Sequence, residues 1–139
     1  ALREQGKVKE AGPYYRATME WNATRYGADS FSAVITRHNH ANWLLADGQA
    51  GASEQEQRAL LEIADRTLGR DHHVTAEILR GLAEAVLAQG RADEALRHAN
   101  ESLRVMRQVY GDKNEAVLRD VRDTLAKVEA VAQAKAGAR

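Results

Sequence analysis

The sequence predicts an all-α solenoid, a stack of antiparallel helix pairs closed by one further helix. Three observations carry this. Gly6, Gly48 and Gly90 are each 42 residues apart, and Gly27, Gly69 and Gly111 keep the same spacing. Two glycine sets in one register mark a repeated supersecondary unit. Apolar residues between the glycines recur at the 3–4 spacing of a helix face. The chain has a single proline and abundant Ala, Leu, Glu and Arg, which favours helix.

Composition removes several classes of function. Lysine plus arginine and aspartate plus glutamate both number 20, so no net field draws in nucleic acid or an anionic membrane. With no cysteine there is neither a disulfide framework nor a thiolate nucleophile or metal ligand. No apolar run is long enough for a membrane span, and residues 1–20 lack the pattern of a signal peptide. A cytoplasmic location is the expectation. Residue 1 is alanine and falls mid-repeat, as expected of a stretch from a longer parent protein.

Taken in order, residues 1–27 read as a half-repeat. Ala1–Gln5 aligns with Ala85–Gln89 and is expected to be the tail of one helix, with Gly6 as a turn and Val8–Tyr26 as the next helix. Pro13 would then sit near a helix start, where its missing N–H costs little. Residues 28–69 form a full repeat. Asp29 or Ser30 caps helix Phe31–Ala46, and a second helix covers 52–68, with Ser53 and Glu56 as a capping box. Residues 70–111 repeat the pattern most cleanly. Val74, Ile78, Leu79, Leu82 and Val86 line one helix; Ala95, Ala99, Leu103, Met106 and Tyr110 line the other, across the turn at Gly90. Asn114 caps a closing helix over 114–136, and residues 137–139 are left as a frayed tail.

The segment Gly81–Val105 resembles a tetratricopeptide repeat, with Leu82, Ala83, Val86, Gly90, Ala95 and Ser102 at its signature positions. The 42-residue period is similar to the longer subclass found in kinesin light chains. Leu68-Gly69-Arg70-Asp71-His72 resembles the linker that joins those repeats, and Ala11–Ala17 matches their second-helix start. Ser53, Gln57 and His73 depart from the pattern, as does the histidine-free Tyr110–Lys113. The resemblance implies a right-handed α-α superhelix whose first helices line a concave face.

On that reading the groove positions are Ile35, His38, Asn42 and Leu45, then Glu77, Arg80, Glu84 and Leu87, and on the closing helix Arg119, Arg122 and Glu129. Asparagine both donates and accepts, and a guanidinium grips a carboxylate with two prongs, so Asn42 and Arg80 suit the backbone or carboxylate of an extended peptide. The same charges also form the i,i+3 and i,i+4 pairs of any solvated helix. No catalytic constellation is present, so the expectation is a non-catalytic module that binds a peptide or partner protein. A regulatory segment that couples ligand binding to an attached effector is the alternative. No metal or cofactor is expected. His38 and His40 are two apart on a helix and are expected to face opposite sides, and His72 to cap or pack at the inter-repeat turn. Trp21 and Trp43 are expected to pack between helices. Helix Val8–Tyr26 lacks a cover for its apolar side, so self-association through it is a further expectation.

Overall fold

The computed structural model describes residues 2–138, with side chains from Gln5 onward. Six helices follow one another: α1 Leu2–Tyr26, α2 Phe31–Ala46, α3 Ala50–Thr67, α4 His73–Ala88, α5 Ala92–Tyr110 and α6 Glu115–Gly137. No strand occurs among the described residues. Each helix packs on the next, and α4 also touches both α2 and α6. Among the described residues the backbones of α1, α3 and α5 make no contact with one another. A stack whose even helices touch and whose odd helices splay must curve toward the even row. That row is the inner wall.

Short polar devices end and start the helices. Gly27, Gly48, Gly69, Gly90 and Gly111 all take φ between +83° and +96°, where a side chain would be strained. Ser30 Oγ accepts from Ala33 N at 3.1 Å, Asn114 Oδ1 from Val117 N at 3.4 Å, and His72 Nδ1 from Val74 N at 3.0 Å. The expected caps at these three starts are therefore present.

Three expectations fail. Gly6 is not a turn: α1 runs through it unbroken. Mid-helix glycine costs only about 1 kcal/mol, which a helix with good formers on both sides absorbs. Pro13 consequently lies inside α1, and the carbonyl it leaves without a donor belongs to exposed Lys9. Second, α3 begins at Ala50, and Ser53 caps nothing. Its buried hydroxyl donates to the Ala41 carbonyl of α2 at 2.7 Å. Ser102 does the same to Ala76 of α4 at 2.7 Å. In each case a small hydroxyl pins the second helix of a pair to the first. Third, Gly137 belongs to α6 and Ala138 caps it, so there is no fray at these two positions, and Lys135 bonds the Gly90 carbonyl. Arg139 lies outside the described residues, as does Ala1.

Buried apolar residues gather in three clusters along the stack. Val34, Leu60, Ala64, Val74 and Ile78 join α2, α3 and α4. Ala76, Leu79, Leu103, Met106, Leu118 and Val121 join α4, α5 and α6. Leu82, Ala83, Val86, Ala95, Ala99 and Val128 continue that seam toward the other end of the same helices. None of the three draws on α1, whose one buried residue among those described is Gly12. Trp43 lies against Gly12 so closely that a Cβ there would sit 2.6 Å from the indole. The indole N–H donates to the Val8 carbonyl at 2.5 Å. A single tryptophan thus locks α1 onto α2.

Candidate functional site: the inner wall of the solenoid

The wall is built around three side chains that consume one another's polar atoms. His38 Nδ1 and Gln57 Oε1 are 3.0 Å apart, Asn42 Nδ2 and His38 Nε2 3.2 Å, and Gln57 Nε2 and Asn42 Oδ1 3.2 Å. With both amides oriented as they stand, one assignment satisfies all three contacts. His38 is neutral with its proton on Nδ1, which donates to Gln57; Asn42 donates to Nε2 and accepts from Gln57. Burial holds the His38 pKa below the usual histidine value, against the opposing pull of Gln57 and Glu77. The ring leaves Asn42, an exposed residue, one amide N–H and one oxygen lone pair free toward the groove.

Gly81 makes this arrangement possible. A Cβ there would come within 2.3 Å of Gln57 Nε2 and 3.2 Å of Asn42 Oδ1. The missing side chain lets α4 lie directly against the ring.

Next along the wall, Arg80 is bracketed by carboxylates. Its Nη2 donates to Glu77 at 2.8 Å, and Glu84 lies 4.0 Å from Nη1. Burial works against the charge, but Glu77, Glu84 and Asp120 outweigh it and keep the pKa raised. Its Nε is buried without a partner. The expected two-pronged grip on a ligand carboxylate therefore does not fit this arginine, which already serves Glu77. Between α4 and α6 lies a cleft of about 180 Å³ lined by Arg80, Glu84, Asp120, Asp123, Thr124 and Lys127. A larger groove of about 570 Å³ runs between α1 and α2, beside Ala11, Tyr15, Asn39, Asn42 and Trp43.

The expected site residues divide accordingly. His38, Asn42, Glu77, Arg80 and Glu84 come together on the wall. Ile35, Leu45 and Leu87 are half-buried; Ile35 and Leu87 pack on the core clusters. Arg119, Arg122 and Glu129 do not line the cleft between α4 and α6. At 100° per residue Arg122 and Glu129 fall on the side of α6 away from Asp120, Asp123 and Lys127, whereas exposed Arg119 stands one turn from Asp123, and Arg122 pairs with Glu115 along its own helix at 2.5 Å. Gln57, Gly81 and the α6 acids were missed. Gln57 had one visible signal, since it stands where this repeat usually carries an aromatic and where Tyr15 stands one period earlier.

The other histidines are structural. His38 and His40 do not part as expected: both turn to α3, His40 Nδ1 lying 2.9 Å from Glu56. His73 Nδ1 is 3.0 Å from the Tyr110 hydroxyl. Among the described residues no three His, Asp or Glu side chains converge as a metal site would require. Trp43 packs as expected, whereas Trp21 is 57% exposed.

Known proteins place this architecture. The tetratricopeptide repeat profile matches residues 32–108 and 75–120, which together cover more than half of the chain. The chain belongs to the tetratricopeptide repeat family. A solved structure, BtubC (BKLC) from P. vanneervenii, superposes with a TM-score of 0.77 at 18% identity, over 92% of this chain and 51% of that one. The tetratricopeptide array described here therefore spans about half the length of that kinesin light chain-like relative in fold. No curated protein matches the chain. Tetratricopeptide repeats are a non-catalytic scaffold that generally mediates protein–protein interaction. No helix among the described residues is long and apolar enough to cross a membrane.

Proposed function

We propose that the inner wall binds an extended peptide segment of a partner protein, without catalysis. The observation that carries this is the His38–Gln57–Asn42 ring. It holds one amide in a single orientation at the edge of a groove and leaves it a donor and an acceptor, the pair that a peptide backbone unit can answer. Order in the ring means that little entropy is lost when a ligand meets it. The groove beside Tyr15 and Trp43 supplies apolar area, and Asp120 and Asp123 supply negative charge farther along the wall.

The test is to pan a displayed random-peptide library on the protein and measure the selected peptides against variants. Asn42→Ala should weaken them by at least about tenfold, as loss of a well-placed interface group does. Gln57→Ala, which frees Asn42 to turn, should weaken them too, whereas Arg119→Ala should not. Unchanged affinity in Asn42→Ala, with helicity intact, moves the site off this wall.

A further inference from the structure

The ring at Asn42 closes only while its donors and acceptors match. Each of its contacts needs one donor and one acceptor, and each polar atom of the ring serves one contact. A primary amide supplies one of each whichever way it is turned, and a neutral imidazole does the same. The match then runs all the way round. An imidazolium supplies two donors and no acceptor, so with His38 charged the donors are in excess and one contact must open. Hydrogen bonds made by the charged ring are about twice as strong as those between neutral groups. Both His38 contacts therefore hold, and the one between Gln57 and Asn42 gives way. Gln57 is fully buried against the gap that Gly81 leaves, whereas Asn42 is exposed. Asn42 is the member that turns. One period on, Arg80, Glu84 and Ala99 stand at the three positions, so the described array carries this ring once.

We propose that protonation of His38 turns the Asn42 amide over, releasing it from Gln57 and exchanging the donor and the acceptor that it shows to the groove. Nε2–H of the charged imidazole then donates to Asn42 Oδ1, while Nδ1–H keeps Gln57. The inner wall thus carries a proton-operated switch. Its surroundings pull both ways. Burial is the largest influence on His38 and favours the neutral form; Gln57 and Glu77 oppose it, and Arg80 assists it. On α4, Glu77 is itself tied to Arg80 at 2.8 Å, and on α3 Glu56 is turned to His40 at 2.9 Å. From α1, Lys7 and Tyr15 line the groove beside Asn42. Both imidazole nitrogens of His38 face amides, so none of these carboxylates clamps the charged form. The effect of the switch on ligands rests on the wall being the peptide site; its effect on the ring does not.

Side-chain nitrogen–proton NMR of the full chain, followed from neutral to mildly acidic pH, reads the ring with no peptide present. Residue-specific signals tell His38 from His40. At neutral pH His38 should carry its proton on Nδ1. Through the His38 midpoint the Asn42 amide signals should move in step, and the protection of the Gln57 amide from exchange should fall at least about tenfold. His38→Gln supplies a donor and an acceptor at every pH and should abolish both responses. Gln57→Glu supplies two acceptors, which close the ring only around imidazolium. Its His38 should titrate at higher pH than in the wild type, and Asn42 should be held in acid rather than freed. Affinity for the selected peptides should fall by up to about tenfold per pH unit below the midpoint in the wild type and stay level in His38→Gln. By reciprocity, saturating peptide should move the His38 midpoint to lower pH. Circular dichroism confirms that each variant keeps its helices. A His38 that titrates while the Asn42 and Gln57 amides stay unchanged, or an acid response that survives in His38→Gln, overturns the proposal. If the ring responds and no peptide binds at any pH, the switch stands and the wall falls as the peptide site.

Discussion

The first and last helices of the described stack are made from the same repeat and present different outer faces. At the C-terminal end α6 buries Leu118, Val121 and Val128 at 1% exposure or less and turns a charged face outward. At the N-terminal end α1 buries only Gly12 among its described residues and presents Tyr14 and Trp21 to solvent. A stacked array needs a polar outer face on its terminal unit to stay soluble as a monomer. The outer face of α6 has that polar character and the described outer face of α1 does not. The lesson is that repeat identity fixes the helix, while a few outward positions decide whether the helix ends the stack or invites another surface.

Four measurements break or sharpen this contrast, in falling order of effect. Leu82→Ala, at the fully buried seam of α4 and α5, should cost about 3–4 kcal/mol in a denaturant titration and unfold α4–α6 as one unit. Trp43→Ala should cost about 2 kcal/mol, but locally: amide exchange should speed up in α1 and hold its rate in α4–α6. Equal protection loss in α6 would erase the distinction between the ends.

The third concerns pH. His38 is neutral in the fold with a pKa below that of the unfolded chain, so the unfolded state takes up its proton first. Stability is therefore full above the unfolded pKa of about 6.5 and falls as pH drops below it, by at most about 1.4 kcal/mol per unit. His38→Gln should flatten that slope, and peptide binding should fade over the same range. The smallest effect belongs to the outer face. Arg58, with His98, holds the Glu94 carboxyl down at about 2, so what this contact contributes is present above about 4.5 and vanishes only as pH falls toward 2. Half-exposed Arg58→Ala should cost under about 1 kcal/mol at neutral pH.

Much of the architecture was legible because helix periodicity and turn glycines are local signals. Leu82, Val86, Ala95 and Ser102 are buried where the pattern placed them. Gly6 misled because a glycine reads the same in a turn and inside a helix; only its φ tells them apart. Arg119 and Arg122 misled for a different reason. Helix α6 does begin 42 residues after α4, but the side chains it sets beside Arg80 and Glu84 are Asp120, Asp123, Thr124 and Lys127. The ring at Asn42 was only partly visible, since its members come from two helices and depend on a void left by a third. Such agreements are three-dimensional, and no spacing rule along one chain encodes them.

The charged ties across the splayed side carry a mechanical consequence. Arg58 of α3 reaches Glu94 of α5, Arg91 at the start of α5 reaches back to Glu54 of α3, and Arg70 clasps Asp65 and Glu101 together. On the opposite side the backbones are already in contact and resist compression. The solenoid is thus a spring hinged along one edge and laced along the other, with laces that salt can slacken. Tension on its ends would lengthen the laced edge first, and the width of the inner groove would follow the ionic strength.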